Sequence, residues 1–259
     1  MVTIEGNIGT GKTTVAKSIA SYMPDTELFQ APDPDHNPHW DAFQQKPKDH
    51  ALAMQLWFLR ERLRVYAAAL EHMREKRESV ILDFSVWSDQ IFARAHYERG
   101  YMTDAEFEEY SVLWRAINSM RLPAPHLSIV LHVKSHIRIG RLETSETRAK
   151  YVQRASRDDY ETHLTRLDEL YRQTWLRDQP HVFTPKWLAD QRVAPSADGL
   201  SAAPSHLILV RDWSQDLSQI KPTAIRDAVM CSEPTDIDTW IAPWLVKGAQ
   251  ERVAALLKV

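Results

Sequence analysis

A short motif near the start of the chain limits what this sequence can fold into more than any other feature. Residues 6–13 read Gly-Asn-Ile-Gly-Thr-Gly-Lys-Thr, which is the G-x-x-x-x-G-K-T pattern of a phosphate loop. Residues 2–5 predict a strand before it, and residues 13–22 predict a helix after it. Backbone N–H groups and the positive end of such a helix cradle phosphate oxygens. The motif predicts an α/β domain that binds a mononucleotide. A glycine turn that binds nothing is the alternative, which the strand context and the spacing disfavour.

The residue types in the loop predict the ligands. Lys12 is expected to reach the β- and γ-phosphates, and Thr13 to bind Mg²⁺. Asp83, at the end of a later predicted strand, is expected to complete the metal shell directly or through water. The expected ligands are therefore ATP or another (deoxy)nucleotide, with Mg²⁺. The phosphate-binding residues predicted in the loop are Gly6, Asn7, Gly9, Gly11, Lys12, Thr13 and Thr14.

Strand-like and helix-like segments alternate along the first 212 residues. Further strands are predicted at residues 27–30, 79–83, 127–133 and 206–210. Further helices are predicted at 49–76, 86–99, 103–120, from 135 onward and at 158–175. Residues 31–48 are predicted as a loop because Pro32, Pro34 and Pro38 block regular structure. The alternation indicates a P-loop NTPase fold, in which helices flank a five-stranded parallel sheet.

The remaining sequence predicts additions to this core. Residues 1–212 form one predicted domain with an insertion at about 180–204, and residues 213–259 form a C-terminal extension. The extension contains Trp240 and Trp244, and tryptophan is enriched at interfaces. It is therefore predicted to dock on a partner, although packing on its own domain is the alternative.

The arginine-rich stretch from Arg141 to Arg157 predicts a lid. Arg148, Arg154 and Arg157 would close over the phosphates and offset the charge that develops there. The alternative is a solvated basic face of a helix.

Composition excludes several classes of protein. A net charge of −3 gives no broad basic surface, so no nucleic-acid partner is expected. No apolar run is long enough to span a bilayer. The single cysteine, Cys231, excludes an internal disulfide and fits a reducing compartment. No targeting segment is visible ahead of Val2, which leaves open whether one has been removed.

Several motifs together resemble the deoxynucleoside kinase family. The resemblance covers roughly residues 2–178 and the strand at 206–211. The motifs that carry it are residues 5–14, Asn37-Pro38, Gln55, residues 80–85, residues 87–89 and the arginines ahead of Asp158-Asp159. The resemblance implies that Gln55, Arg62 and Asp89 read the base, and that Asp159 holds the sugar 3′-hydroxyl. The alternative is a glutamine on an ordinary helix face beside a structural ion pair.

The chain departs from the family where the chemistry occurs. The family's general-base glutamate corresponds to Gln30-Ala31, neither of which is a carboxylate. The family's arginine after the third strand corresponds to Phe84, and its sugar-contacting tyrosine corresponds to Gln44. Asp33, Asp35 or Asp83 could replace the base, and Asp83 is the one possible catalytic residue. The departures predict a protein that binds a nucleotide but is catalytically impaired.

One branch of the family shares softer similarities with this chain. Residues 69–72, 84–92, 97–101, 122–127 and 170–176 resemble the nucleoside-kinase-like accessory subunit of mitochondrial respiratory complex I. The resemblance implies a structural or assembly role among the other subunits of that complex, on the matrix side of the inner mitochondrial membrane; a cytoplasmic location is the alternative. An active deoxynucleoside kinase is the first alternative function. A kinase that acts on a nucleotide or on a base within DNA is the second.

Overall fold

The computed structural model describes residues 1–120, 122–123, 125–144, 157–176 and 207–212. Several sequence predictions fall outside these residues: the insertion at about 180–204, the C-terminal extension at 213–259, and lid residues Arg148 and Arg154. Among the described residues, no helix combines the length and the apolar character needed to cross a membrane.

The described elements alternate as the sequence predicts, and most of their ends agree with the prediction to within two residues. The strands are β1 (Val2–Gly6), β2 (Thr26–Phe29), β3 (Ser79–Asp83), β4 (Leu127–His132) and β5 (Leu207–Asp212). The α-helices are α1 (Lys12–Tyr22), α2 (Trp40–Gln45), α3 (Pro47–Lys76), α4 (Asp89–Glu98), α5 (Asp104–Ser119), α6 (Ser135–Glu143) and α7 (Arg157–Tyr171). Short 3₁₀ turns lie at Pro34–His36 and Val86–Ser88, and a π-helical turn, Arg172–Leu176, follows α7.

The five strands form one parallel sheet in the order β2-β3-β1-β4-β5. The prediction of a five-stranded parallel sheet is confirmed. The central strand β1 pairs with β3 and β4, so that Ile4 lies beside both Asp83 and Ile129. The phosphate loop therefore leaves the middle of the sheet at the carboxyl ends of the strands, where open α/β sheets bind their ligands.

Apolar side chains cover both faces of the sheet. Val15 and Ile19 of α1 pack with Ile4 and Ile129 on one face. On the other face, α3 packs against β3 through residues that include Tyr66 and Met73. The helical spacing of apolar residues in α3 reflects this burial, since residues three and four apart share one side of a helix. The core thus holds the carboxyl end of β1 rigidly between two helical layers.

The predicted loop over residues 31–48 is wrong in part. Residues 40–45 form α2, and its Phe43 is buried against Met54 and Phe58 of α3. The predicted loop also ends too late, because α3 begins at Pro47. A proline is tolerated in the first turn of a helix because its missing N–H would have no partner there.

Candidate functional site

The phosphate loop needs glycine for its backbone conformation and for space. Gly6, Gly9 and Gly11 have φ of +141°, +77° and +88°. A Cβ on Gly6 would lie 2.7 Å from the carbonyl oxygen of Leu131, and a Cβ on Gly9 would lie 2.9 Å from Cγ of Leu142. Another residue would be strained at these positions and would displace the neighbouring elements. The loop is therefore held closely against β4 and α6.

The lysine of the loop lies against the loop itself. Lys12 Nζ donates to the carbonyl oxygen of Asn7 at 3.0 Å. The same oxygen accepts from Thr10 Oγ1 at 2.8 Å. The ammonium also lies 5.5 Å from the ring centroid of Phe84. This position keeps a cation at the loop, as the sequence predicts for a phosphate-binding lysine.

The two predicted metal ligands are adjacent. Thr13 Oγ1 donates to Asp83 Oδ2 at 2.6 Å. Asp83 is buried, and its Oδ1 has no hydrogen-bond partner among the described residues. A hydroxyl and a carboxylate are the oxygen ligands that Mg²⁺ takes alongside nucleotide phosphates. The residues present therefore fit the predicted ion.

The structure describes part of the predicted lid. Arg141, which was expected to belong to it, lies on α6 and donates to the carbonyl oxygen of Thr10 at 3.4 Å. Arg157 is the first residue of α7. A phosphate-binding role for Arg148, Arg154 and Arg157 stays a prediction.

The three predicted base-reading residues lie together in the fold. Gln55 Nε2 donates to Asp89 Oδ2 at 2.9 Å, and Arg62 forms an ion pair with Asp89 Oδ1. Tyr110 also donates to Asp89 Oδ2, at 2.6 Å, and Asp89 is completely buried. The sequence did not predict a role for Tyr110, because nothing in its own segment indicates a contact with α4. Thus Asp89 organises a buried polar cluster that joins α3, α4 and α5.

Three aromatic rings surround the guanidinium of Arg62. Its Cζ lies 4.4 Å from the ring centroid of Phe84, 5.0 Å from that of Phe58 and 5.7 Å from that of Phe92. Burial lowers the pKa of Arg62 to about 10, so the group is charged at neutral pH. Ring faces attract such a cation. Arg62 is therefore held as a fixed positive charge.

Phe84 has an unusual backbone conformation. Its φ is +78°, and its N–H donates to the carbonyl oxygen of Ile4 at 3.1 Å. Left-handed backbone costs a residue with a side chain roughly 1–2 kcal/mol. In the family, this position carries an arginine. Here it carries an aromatic ring that contacts both Lys12 and Arg62.

The position of the expected general base is also apolar. Ala31 packs against the hydrophobic cluster that contains Phe84, and Gln30 is exposed. Of the three possible replacement bases, Asp33 and Asp35 are exposed, and the carboxylate of Asp33 accepts from the N–H of Asp35 at 3.0 Å. Asp83 is the candidate that lies beside the phosphate loop. Gln44 lies half-buried on α2.

Asp159, the predicted sugar-binding residue, forms a different contact in this structure. Both of its carboxylate oxygens accept from Arg99 Nη2 at 2.8 Å, and its side chain is about half exposed. The same helix carries His163, which stacks on His96 of α4 with ring centroids 6.0 Å apart. Contact with a sugar stays a prediction for Asp159.

The sequence reading also missed a buried carboxylate, that of Glu5. Its Oε2 accepts from Ser88 Oγ at 2.6 Å, and Ser88 Oγ accepts from Trp175 Nε1 at 2.9 Å. Burial raises the pKa of Glu5. The position of this acidic residue, directly before the first glycine of the motif, was the available signal. The chain of contacts connects β1 to the π-helical turn after α7.

Comparison with known proteins identifies relatives of this chain. A family model for deoxynucleoside kinases matches residues 2–202. A deoxyguanosine kinase from Dictyostelium discoideum is 32% identical over 133 residues, covering 51% of this chain and 46% of that protein. Mitochondrial NADH dehydrogenase (ubiquinone) 1 alpha subcomplex subunit 10 from Bos taurus is 28% identical over 152 residues, covering 51% and 44%. The chain spans about half the length of these curated relatives. The predicted resemblance, including the complex I branch, is confirmed.

Solved structures share the fold. A deoxyadenosine kinase from M. mycoides with bound dATP superposes with a TM-score of 0.62 at 18% identity, over 88% of this chain and 96% of that chain. The same enzyme with bound dCTP gives a TM-score of 0.61 at 19% identity, over 89% and 97%. The superposition covers nearly the whole length of that enzyme.

Proposed function

Because this chain belongs to the deoxynucleoside kinase family, we propose that it is a nucleotide-binding, catalytically impaired accessory subunit of mitochondrial respiratory complex I. Its role there would be structural or in assembly. One observation carries the proposal: the phosphate loop is intact, while Ala31 and Phe84 fill the two missing catalytic positions with apolar groups of one cluster.

The binding half of the proposal rests on the loop and its partners. Lys12 would contact the β- and γ-phosphates of ATP or a related nucleotide, and Thr13 with Asp83 would hold Mg²⁺. When bound, the ion would neutralise charge on the phosphate oxygens. Gln55, Arg62 and Asp89 would form the wall that faces the base.

The loss of catalysis follows from what these positions do in phosphoryl transfer. A positioned general base contributes roughly 10²–10⁴ in rate. An arginine that stabilises the transition state contributes about 10³–10⁵ in related phosphoryl transfers. Ala31 carries no proton acceptor, and the ring of Phe84 donates no hydrogen bond. Either change alone would reduce turnover severely.

The subunit half of the proposal rests on similarity to proteins named as complex I subunits. The matches from Bos taurus and Mus musculus are 28% and 29% identical over 152 residues. By this similarity the protein would lie in the mitochondrion, on the matrix side of the inner membrane. A retained nucleotide would then stabilise the folded subunit, because any ligand that binds the native state alone does so.

An active deoxynucleoside kinase is the second candidate. It is favoured by the 32% identity to a deoxyguanosine kinase and by the buried carboxylate of Asp83 beside Thr13. In that case the 5′-hydroxyl oxygen of the nucleoside would attack the γ-phosphorus of ATP, ADP would leave, and Asp83 would take the hydroxyl proton.

Steady-state transfer of phosphate from ATP to each deoxynucleoside distinguishes the two candidates. We expect turnover far below the roughly 1–100 s⁻¹ that is typical of kinases. Lys12→Met provides the control, since it removes the cation that contacts the phosphates. Turnover in the normal range, lost in Lys12→Met, would establish the active kinase and reject catalytic impairment.

Native gel electrophoresis of mitochondrial membranes tests the partner. We expect the protein to migrate with complex I. A protein that migrates alone in all fractions would contradict the subunit assignment, whatever the result for ATP binding.

A further inference from the structure

Asn7 connects the phosphate loop to helix α7. Its amide Nδ2 donates to Asp168 Oδ1 and to the carbonyl oxygen of Leu164, both at 2.8 Å. Its Oδ1 accepts from the N–H of Ile8 at 2.7 Å. Its own carbonyl oxygen accepts from Lys12 Nζ. A single residue thus connects the loop lysine to α7.

Asp168 connects Asn7 to the completely buried guanidinium of Arg138. Asp168 Oδ1 also accepts from Arg138 Nη1 at 2.5 Å, and no part of the Arg138 side chain is exposed. A buried guanidinium is costly unless a carboxylate pairs with it. Since the hydrogen bond to Asn7 is made to a paired carboxylate, it is charge-assisted and stronger than a neutral one.

Arg138 also leaves little space beside the loop. The position of a Cβ on Gly9 lies 3.3 Å from the carbonyl oxygen of Arg138 and 2.9 Å from Leu142 Cγ. Helix α6 therefore supports one side of the loop, while Asp168 of α7 holds Asn7. The loop is fixed between these two helices at its first residues.

We propose that Asp168 is a positioning residue for the phosphate loop, because its carboxylate holds Asn7 against the buried guanidinium of Arg138 and so keeps the loop in the shape that receives the phosphates of a nucleoside triphosphate. The proposal rests on the nucleotide binding proposed above. Asp168 touches the loop through a side chain, and the loop presents its backbone and Lys12 to the ligand. The effect on the ligand is therefore indirect.

Two double variants isolate the contact between residue 168 and Asn7. Both replace Arg138 by Met, which removes the need for a counter-charge. The amide double variant combines Arg138→Met with Asp168→Asn and keeps an oxygen that accepts from Asn7. The apolar double variant combines Arg138→Met with Asp168→Leu and removes that oxygen. Glu169→Gln is the matched single control, because that neighbouring carboxylate is exposed and pairs with Arg166.

Calorimetric titration with ATP and Mg²⁺ gives the first result. We expect the amide double variant to bind within about threefold of the wild type, and the apolar double variant to bind about tenfold more weakly. Glu169→Gln should bind as the wild type does. Equal affinity of the two double variants would overturn the role of Asp168 and leave the proposed function intact.

Hydrogen exchange without nucleotide gives an independent result. The amides of residues 6–11 should exchange faster in the apolar double variant than in the amide double variant, while β3 exchanges equally in both. Equal exchange in the loop would overturn the inference. A wild type that binds no ATP would instead reject the proposed function, and the exchange experiment would still decide whether Asp168 positions the loop. If the apolar double variant does not fold, Arg138→Met with Asp168→Ala removes the same oxygen and takes its place in both measurements, with the same results expected.

Discussion

At the scale of single residues, Phe84 is central to the proposed loss of catalysis. Two cations, Lys12 and Arg62, lie 5.5 and 4.4 Å from the centroid of its ring, which belongs to the cluster that Ala31 packs against. A ring without hydrogen-bond donors cannot stabilise a transferring phosphoryl group, but it does fix Arg62. Under the proposed function, the phenylalanine would support Arg62 and would also remove a group that catalysis requires.

Replacing Phe84 by Leu should lower the free energy of unfolding by about 2 kcal/mol. The change leaves a cavity and removes the ring face from Arg62. Urea unfolding at neutral pH measures the loss. Val112→Ala is the control, because Val112 is exposed on α5, and it should change stability by less than about 0.5 kcal/mol. A loss at position 84 no larger than this would show that the ring does not support the site.

Restoring both catalytic residues should raise phosphate transfer. Ala31→Glu supplies a proton acceptor, and Phe84→Arg supplies a cation for the transition state, so we expect the double variant to exceed the wild type by about tenfold or more. Each single variant should gain less, because the two groups act together. Transfer of the ATP γ-phosphate to deoxynucleosides provides the measurement. No gain would show that other parts of the pocket have also changed.

At the scale of elements, contacts between helices and the loop shape the site. Helix α6 approaches the loop so closely that Gly9 has no room for a side chain. Helices α4 and α7 meet through the stacked rings of His96 and His163, and through the pair of Arg99 with Asp159. These contacts join segments that are far apart in the sequence. We therefore expect the stability of the fold to respond to a single methyl group added at Gly9 and to the pH.

Three glycine-to-alanine variants separate backbone strain from steric contact. A Cβ on Gly100 would lie within 4 Å of no other atom, but φ there is +67°. Gly100→Ala should therefore cost about 1 kcal/mol of stability through backbone strain alone. Gly9→Ala has the same strain and also contacts Leu142, so it should cost about 2 kcal/mol more. Gly140→Ala, inside α6 with open space around it, should stabilise by about 0.5–1 kcal/mol. Thermal unfolding compares all three; equal losses for Gly9 and Gly100 would argue against close support of the loop by α6.

Stability should fall in mild acid because the buried imidazole of His96 and the partly buried imidazole of His163 have lowered pKa values. Burial lowers the pKa of His96 to about 3 and that of His163 to about 4, from 6.5. Below pH 6.5 the two histidines bind protons in the unfolded chain but not in the folded chain. Stability is therefore lost as the pH falls towards their folded pKa values. The loss should be about 2 kcal/mol per imidazole between about pH 7 and about pH 5.

Urea unfolding at both pH values measures this effect as a difference between variants. The double variant His96→Asn with His163→Asn should lose less stability than the wild type on acidification. His36→Asn, at an exposed position, should leave the pH dependence unchanged. An identical dependence in the wild type and the double variant would mean that these rings are hydrated in solution.

At the scale of the whole molecule, the sheet brings together residues from distant segments. Its order places the ends of β1 and β3 side by side, so that Thr13 and Asp83 meet although 70 residues separate them. Helices on both faces hold this edge in place. The proposed nucleotide site therefore depends on the complete sheet, and binding of a nucleotide there should stabilise the whole fold.

ATP with Mg²⁺ should raise the unfolding temperature. At an ATP concentration of about one hundred times Kd, the gain is about 2.7 kcal/mol, which corresponds to roughly 5 °C or more for a chain of this size. Differential scanning fluorimetry measures the shift. Lys12→Met should abolish it, and EDTA or Asp83→Asn should reduce it. A rise in unfolding temperature of equal size in Lys12→Met would show that ATP binds outside the phosphate loop.

Local patterns in the sequence predict most of the fold and part of the site. The phosphate motif and the period of α3 report local conformation, so β1, the loop and the long helix could be predicted. The grouping of Gln55, Arg62 and Asp89 followed from family resemblance. Helix α2 was not predicted, because the burial of its Phe43 depends on contacts with α3 rather than on neighbours in the sequence.

Other parts of the site depend on contacts that no local pattern contains. Tyr110 on α5 and Asp168 on α7 reach the site across long sequence separations. The conformation of Phe84 depends on its contacts with Arg62 and Ile4. Such residues have ordinary sequence surroundings, and only the packed structure identifies them.

The central place of β1 has a consequence for synthesis on the ribosome. β1 is the first of the five strands to be made, yet its neighbours β3 and β4 end at residues 83 and 132. At roughly 5–20 residues per second, the ribosome needs on the order of ten seconds to deliver both. Throughout that interval β1 lacks the two strands that pair with its edges in the folded sheet. The strand that carries the phosphate loop is thus made early and paired late, which makes it a natural client for chaperones that shield unpaired strands.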